Sequence, residues 1–191
     1  MRNLWEKIKY KLMLKRLNKI KSLSIGPGVS FRNEPVIIAH ENSTIKIGKN
    51  TLINSRSEDY HLSIYAPSKL MADRPGASIT IGENCRIHGT CIHAFKSISI
   101  GNNCLIAGNV QIIDCNAHDL SFENPANRIN TSGKSKQVIL EDNVWLGTNV
   151  VVLPGVTIGQ GSVISANSVV NKDIPSMSIA GGNPAKVIRT F

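Results

Sequence analysis

From Leu140 onward an aliphatic residue returns at every sixth position, as Leu140, Leu146, Val152, Ile158, Ile164 and Val170. A helical period of 3.6 would scatter these six around a cylinder, and simple alternation would not single out each sixth residue. The slots between them repeat as well. Three residues after the aliphatic come Asn143, Asn149, Gly155, Gly161 and Asn167, and one further come Val144, Val150, Val156, Ser162 and Ser168. Asn and Gly share a tolerance of the left-handed backbone conformation, so the pattern predicts a corner with positive φ followed by a slot for a small side chain. The same register occurs earlier, pairing Ile47 with Asn50, Ile81 with Asn84, Ile100 with Asn103 and Ile106 with Asn109. Six residues make a short extended segment and a corner. Segments this short must stack on neighbours to bury their apolar side and pair their backbone, which predicts a parallel β-helix.

From about Ile45 to the C-terminus this repeat resembles that of the hexapeptide-repeat acyltransferases of the sugar and surface-polysaccharide O-acetyltransferase type. The resemblance implies an all-β fold, a left-handed parallel β-helix with three six-residue sides per coil, assembled as a homotrimer with sites between neighbouring subunits. Handedness comes from the resemblance and not from the period. The β-helix is expected over residues 23–170, with two interruptions. Residues 54–77, "NSRSEDYHLSIYAPSKLMADRPGA", read as an insert, and residues 113–137, rich in Asn, Ser, Asp and Pro, read as a loop ejected from one corner. Residues 171–191 form a closing segment.

Composition fits one such domain: 191 residues suffice for a single core, and 5% aromatics suit a narrow interior of Ile, Val and Leu. The net charge of +9 is concentrated, because residues 1–22 hold eight Lys and Arg against Glu6 while the remainder is nearly neutral. In that arm Leu4, Trp5, Ile8 and Leu12 lie on one side of a helix, and Tyr10, Met13, Leu14, Leu17 and Ile20 on another. A basic helix capping the open end of the β-helix, or packed on a neighbouring subunit, is the leading reading. The other is contact with an anionic membrane surface, to which each basic residue contributes about 1 kcal/mol. Nucleic acid is not expected, since the charge is confined to an arm and aromatics for stacking are few. No apolar run approaches the length of a membrane span or a signal peptide, so a cytoplasmic protein is expected, at most at the inner face of the membrane. Cys85, Cys91 and Cys104 follow the corner residues Asn84, Thr90 and Asn103 and read as reduced packing residues, whereas Cys115 falls in a corner slot where the repeat stops.

The chemistry concentrates where the pattern breaks. Long ordered loops on rigid scaffolds usually serve function. In the acetyltransferases that the chain resembles, a comparable loop carries the catalytic His soon after an aliphatic hexad, and "IIDCNAHDL" places His118 there. An imidazole can take the proton of an alcohol as it attacks a thioester, and Asp114 or Asn116 could hold its ring in the right tautomer. Trp145 is turned outward by alternation. The resemblance makes it line the site where donor and acceptor meet, makes Thr148 and Ala166 contacts of the pantetheine arm of acetyl-CoA, and puts Lys172, Lys186 and Arg189 near its phosphates. His88, His93 and Arg128 are candidate contacts of the acceptor, a sugar of a capsule or lipopolysaccharide glycan or its precursor. An amino group on a nucleotide-linked sugar is the alternative acceptor. Two rival classes exist. "HGTCIH" spaces two His by five, as in the metal-binding carbonic anhydrases of this fold, with His118 as a third ligand across a subunit interface, although His93 falls in an aliphatic slot six after Ile87. A binding-only β-helix would not need His118 in an ejected loop. No metal is expected.

Overall fold

The aliphatic slots point inward: Leu140, Leu146, Val152, Ile158, Ile164 and Val170 are each at most 1% exposed. Each such burial contributes roughly 1.5–3 kcal/mol, and no coil could bury them alone. The computed structural model, which describes residues 4–191, stacks the segments into a parallel β-helix with three faces. The first face runs Leu23–Ile25, Thr44–Ile47, Ser78–Ile81, Ser97–Ile100, Val138–Leu140 and Thr157–Ile158. The second runs Ser30–Arg32, Leu52–Asn54, Arg86–His88, Leu105–Ile106, Trp145–Leu146, Val163–Ile164 and Ser178–Gly182, and its edge is closed by the antiparallel strand Ala185–Thr190. The third runs Val36–Ala39, Lys69–Ala72, Cys91–His93, Gln111–Ile113, Val151–Val152 and Val169–Val170. The predicted corner residues Asn50, Asn84, Asn103, Asn109, Asn143, Asn149, Gly155, Gly161 and Asn167 all have positive φ, between 57° and 86°.

One coil departs from the hexad. Gly89 turns with φ 48°, and Ile87 and Ile92, only five apart, are both fully buried. Ile92 therefore takes the aliphatic slot that counting by six gives to His93, and Thr90, expected as the corner, takes the small slot expected of Cys91. Cys91 and His93 turn outward on the third face, paired with Gln111 and Ile113 of the next coil. Cys85 and Cys104 are buried one coil apart as free thiols. Cys115 makes no corner, because the positive φ falls at Ala117 while Cys115 is buried and bridges to Ser135.

The first interruption is shorter than residues 54–77. Asn54 ends a strand and Lys69 begins the next, since Leu70 and Ala72 fill inward slots. The excursion spans 55–68, and its base is clasped by Ser68, whose hydroxyl donates to the Asn54 carbonyl at 2.8 Å and whose N–H donates to Ser55 Oγ at 3.1 Å. The closing segment continues the coils, for Ile174 bridges to Ile158 and Ile179 pairs with Val163.

The N-terminal helix, α1, spans Leu4–Leu17. Met13 and Leu17 enter the core, with Tyr10, Leu14 and Ile20 packed against it, so one of the two apolar sides covers the open end of the first coil. Arg16 pairs with Glu34 through two hydrogen bonds, which orient the helix on that coil. The other side, Leu4, Trp5, Ile8 and Leu12, stays exposed. Among the described residues no helix is long and apolar enough to cross a membrane. The capping geometry predicts that Leu17→Ala costs about 2–5 kcal/mol in denaturant unfolding, while Leu4→Ala, at a side chain 72% exposed, stays within about 0.5 kcal/mol. Equal effects would contradict the cap.

Candidate active site

The second interruption leaves the corner between the third and first faces after Ile113 and returns at Val138. Its neck is laced by backbone pairs: Lys136 N–H to the Asp114 carbonyl at 2.8 Å and Gly133 N–H to the Ala117 carbonyl at 2.9 Å. A side chain at Gly133 would collide with the backbone of Ala117 and His118 at 2.9–3.0 Å, so only glycine lets the two arms close here. The tip is a 3-10 turn, Pro125–Asn130.

His118 is exposed on this neck, and its partner is neither Asp114 nor Asn116. Its Nδ1 lies 3.2 Å from the Thr131 carbonyl oxygen. A carbonyl can only accept, so the proton sits on Nδ1 and the Nε2 lone pair faces outward. Thr131 holds the segment a second way, because its hydroxyl oxygen accepts from Asp119 N–H at 2.9 Å and donates to the Arg128 carbonyl at 2.7 Å. Nothing in the sequence pattern marked Thr131. Asp114, fully buried, accepts from the backbone N–H groups of Phe95, Lys96 and Ser97, each at 2.7 Å. Its carboxylate is spent on the corner of the preceding coil and corrects the expectation that it orients the imidazole. Asn116 contributes its carbonyl, which accepts from His118 N–H at 2.6 Å. Arg128 is turned into the loop, where it donates to the Leu120 carbonyl and lies 5.5 Å over the Phe122 ring.

Trp145 is on another side of the prism. It stands 51% exposed on the second face, in an outward row that reads Arg86, Leu105, Trp145, Val163, Ile179, Arg189 through successive pairings. At about 4.8 Å per strand, Trp145 and Arg189 are roughly 14 Å apart. Thr148 and Ala166 stack one coil apart at the corner between the second and third faces, joined through Asn167 N–H to the Thr148 carbonyl at 2.9 Å. Gly147 packs so tightly there that an added side chain would meet Ala166 N at 2.6 Å. Lys186 pairs with Gly181 on the edge strand that also carries Arg189, whose guanidinium lies 4.5 Å over Phe191. Lys172 follows the strand Val169–Val170 to the corner between the third and first faces, so the three cations do not converge within one chain. A groove of about 910 Å³ runs along the second face past Trp145 and Thr148, and no residue of the 113–137 loop lines it.

The two histidines of "HGTCIH" are separated onto different faces. His88, on the second face, receives a hydrogen bond at Nδ1 from Asn54 Nδ2 at 3.1 Å and stacks on Tyr60 at 4.2 Å. Burial, and then the charges of Arg32, His61 and Arg86, push its pKa down from 6.5 to about 4. His93, on the third face, has Nε2 3.2 Å from Asp73 Oδ1 and meets the Phe95 ring edge-on. Asp73, like Thr131, carried no signal of its role. Among the described residues no group of three or more His, Cys, Asp or Glu is placed to hold a metal ion.

Comparison with known proteins agrees with the repeat. The family described as "Bacterial transferase hexapeptide (six repeats)" matches residues 137–172, and that described as "Hexapeptide repeat of succinyl-transferase" matches residues 78–113. A Saccharomyces cerevisiae protein named as a presumed acetyltransferase is 42% identical over 115 residues, 60% of this chain and 57% of its own. A Schizosaccharomyces pombe protein of like name is 64% identical over 50 residues, 26% of this chain and 24% of its own. The matched stretches thus span between a quarter and three fifths of those relatives. Among solved structures, AntD, an N-acyltransferase from Bacillus cereus in complex with a dTDP-amino sugar and coenzyme A, shares the fold at TM-score 0.73 and 24% identity, over 93% of this chain and 88% of its own. A hexapeptide-repeat acetyltransferase from Vibrio cholerae complexed with acetyl coenzyme A is similar at TM-score 0.57 and 27% identity, over 99% of this chain and 79% of its own. The fold is the left-handed β-helix, and the repeat over residues 78–113 and 137–172 is that of the hexapeptide transferases.

Two outcomes follow from the local geometry. Asp114→Ala strands three backbone donors and should destabilise the fold by about 3 kcal/mol or more in urea; a loss under 1 kcal/mol would contradict the corner role. For His88 the folded pKa lies below the unfolded value, so its contribution is complete above pH 6.5 and is lost as pH falls through about 4. His88→Gln should therefore lose less Tm than the native chain between pH 6.5 and 4, measured by circular dichroism; parallel curves would contradict a depressed pKa.

Proposed function

We propose that the protein transfers acetyl from acetyl-CoA to a sugar hydroxyl, with His118 as general base. The observation that carries this is the His118 imidazole, held by a carbonyl at Nδ1 with Nε2 free, on a loop of a β-helix whose relatives work on coenzyme A thioesters. Nε2 accepts the hydroxyl proton as the sugar oxygen forms its bond to the thioester carbonyl carbon. The tetrahedral intermediate then collapses, the carbon–sulfur bond breaks, and the imidazolium returns the proton to the coenzyme A thiolate. The base acts on the acceptor, so the same residue serves an amino group of a nucleotide-linked sugar, the second acceptor class.

The donor is assigned to the second face: Trp145 at the thioester end, Thr148 and Ala166 along the pantetheine, Lys186 and Arg189 at the phosphates. Ala166 is exposed and Gly147 lines the groove without a side chain, which suits a thin flexible arm, and a guanidinium suits a phosphate. His118 leaves from the opposite corner, so a complete site calls for a second copy whose loop reaches this groove. A trimer of the kind found in the family supplies such pairs three times. The exposed side of α1, Leu4, Trp5, Ile8 and Leu12, flanked by exposed Lys7, Lys11 and Lys15, suits an anionic membrane surface at which lipid-linked glycans of capsule or lipopolysaccharide type are built.

Labelled acetyl-CoA offered with glycans and amino-sugar nucleotides tests the reading. His118→Ala should lower kcat by on the order of 10²–10⁴ while coenzyme A still binds; turnover within threefold of wild type would place the base elsewhere. Arg189→Ala should raise KM for acetyl-CoA with a smaller change in kcat, as for a contact made equally in ground and transition states. The defect should shrink with a donor lacking the 3′-phosphate, and an unchanged coenzyme A affinity by calorimetry would remove Arg189 from the site.

A further inference from the structure

The groove on the second face continues beyond Trp145 toward the N-terminal coils, and there its chemistry changes. Its walls hold Arg32, Arg86, His61 and His88, and among the described residues no carboxylate lines it. Among the described residues neither Arg32 nor Arg86 has an Asp or Glu within ion-pair distance, whereas Arg16, Lys49 and Arg56 all do. The neighbouring cleft of about 890 Å³ under α1, which Arg32 also borders, is different in kind, for it mixes Glu6, Glu34 and Asp59 with its basic residues.

The histidine is held as a donor. Arg56 N–H donates to Asn54 Oδ1 at 3.0 Å, which fixes the orientation of that fully buried amide and leaves its Nδ2 to donate to His88 Nδ1. The His88 proton is thereby on Nε2. The excursion 55–68 builds the wall: Tyr60 stacks on His88, and the segment is pinned to the corner by Asn109, which donates through Nδ2 to the Ser63 carbonyl and accepts at Oδ1 from Tyr65 N–H, both at 3.0 Å. Two guanidiniums, a fixed N–H donor, the exposed Leu105 and an aromatic wall suit a sugar ring that carries an anionic oxygen group. Arg86 lies two strands from Trp145 in the same outward row, about 10 Å. An acceptor whose hydroxyl meets the thioester at Trp145 would lay its next charged substituent there.

We propose that this part of the groove is an acceptor subsite that selects a sugar bearing a carboxylate or a phosphate, with Arg86 and Arg32 as the anion-binding residues. The inference rests on the acetyl-transfer reading for the position of the reacting hydroxyl, but the anion site can be read by binding alone. Calorimetry with an oligoglucuronate, a nucleoside-diphosphate sugar and a neutral malto-oligosaccharide separates the sources of charge. One of the two anionic probes should bind at least tenfold more tightly than the neutral one, and Arg86→Gln and Arg32→Gln should each erase that preference while keeping the affinity for coenzyme A. Transfer assays should show the same collapse in the ratio of kcat/KM between anionic and neutral acceptors. No preference for either anion, or a preference untouched by both substitutions, overturns the subsite. Loss of acetyl-CoA binding by the wild-type protein would instead overturn the acetyl-transfer reading, and the calorimetric comparison of acceptors would still decide the subsite.

Discussion

The corner is the constraint on which everything else depends. A coil that must close in three short sides has to reverse direction at residues with positive φ, and between corners only alternate side chains reach the interior. Asn50, Asn84, Asn103 and Asn143 stack at one edge of the prism to satisfy this, and their φ values lie between 57° and 63°. Backbone groups of each coil are then paired with the coil above and below. Where the chain leaves the ladder, a substitute is needed. Asp114 is that substitute, since at the exit of the long loop its carboxylate takes three N–H groups that the next strand does not reach. The loop bearing His118 hangs from that carboxylate.

Because the interior is filled by aliphatic residues, function is confined to outward rows, corners and excursions. The outward row on the second face combines Arg86, Leu105, Trp145 and Arg189, residues more than a hundred positions apart in the chain at its extremes. A straight prism sets their spacing without any specific tertiary contact. The excursion 55–68 adds the one wall that a bare prism lacks, and its return at Ser68 leaves the coil register intact.

The β-helix was legible because a single period encodes both burial and turning, so each hexad repeated the test. What failed was local. Counting by six ran past Gly89, and only the burial of Ile92 reveals that the turn comes one residue early and sends His93 outward; a glycine ahead of the expected corner was the available signal. The position of His118 was readable from the broken pattern together with the resemblance. Its partner was not, since Thr131 lies in a stretch without period and acts through its backbone carbonyl, which any residue would supply. Asp114 looked like a catalytic acid because a lone carboxylate near a histidine carries no mark of the backbone groups, 17 to 19 residues earlier, that occupy it. Arg32 and Arg86 were equally silent, because they stand on different coils and nothing along the chain marks their meeting in one groove.

The proposed base, His118, and the proposed donor groove lie on different sides of one chain, so under this proposal they join only between copies. Mixed assemblies test that most directly. Subunits carrying His118→Ala and subunits carrying Trp145→Glu, each inactive alone, are coassembled and assayed for acetyl transfer. Activity well above both parents is predicted, because the intact groove of one chain then meets the intact His118 of another. Mixed assemblies no more active than the parents, with both variants folded and coassembled, would mean that base and groove must belong to the same chain.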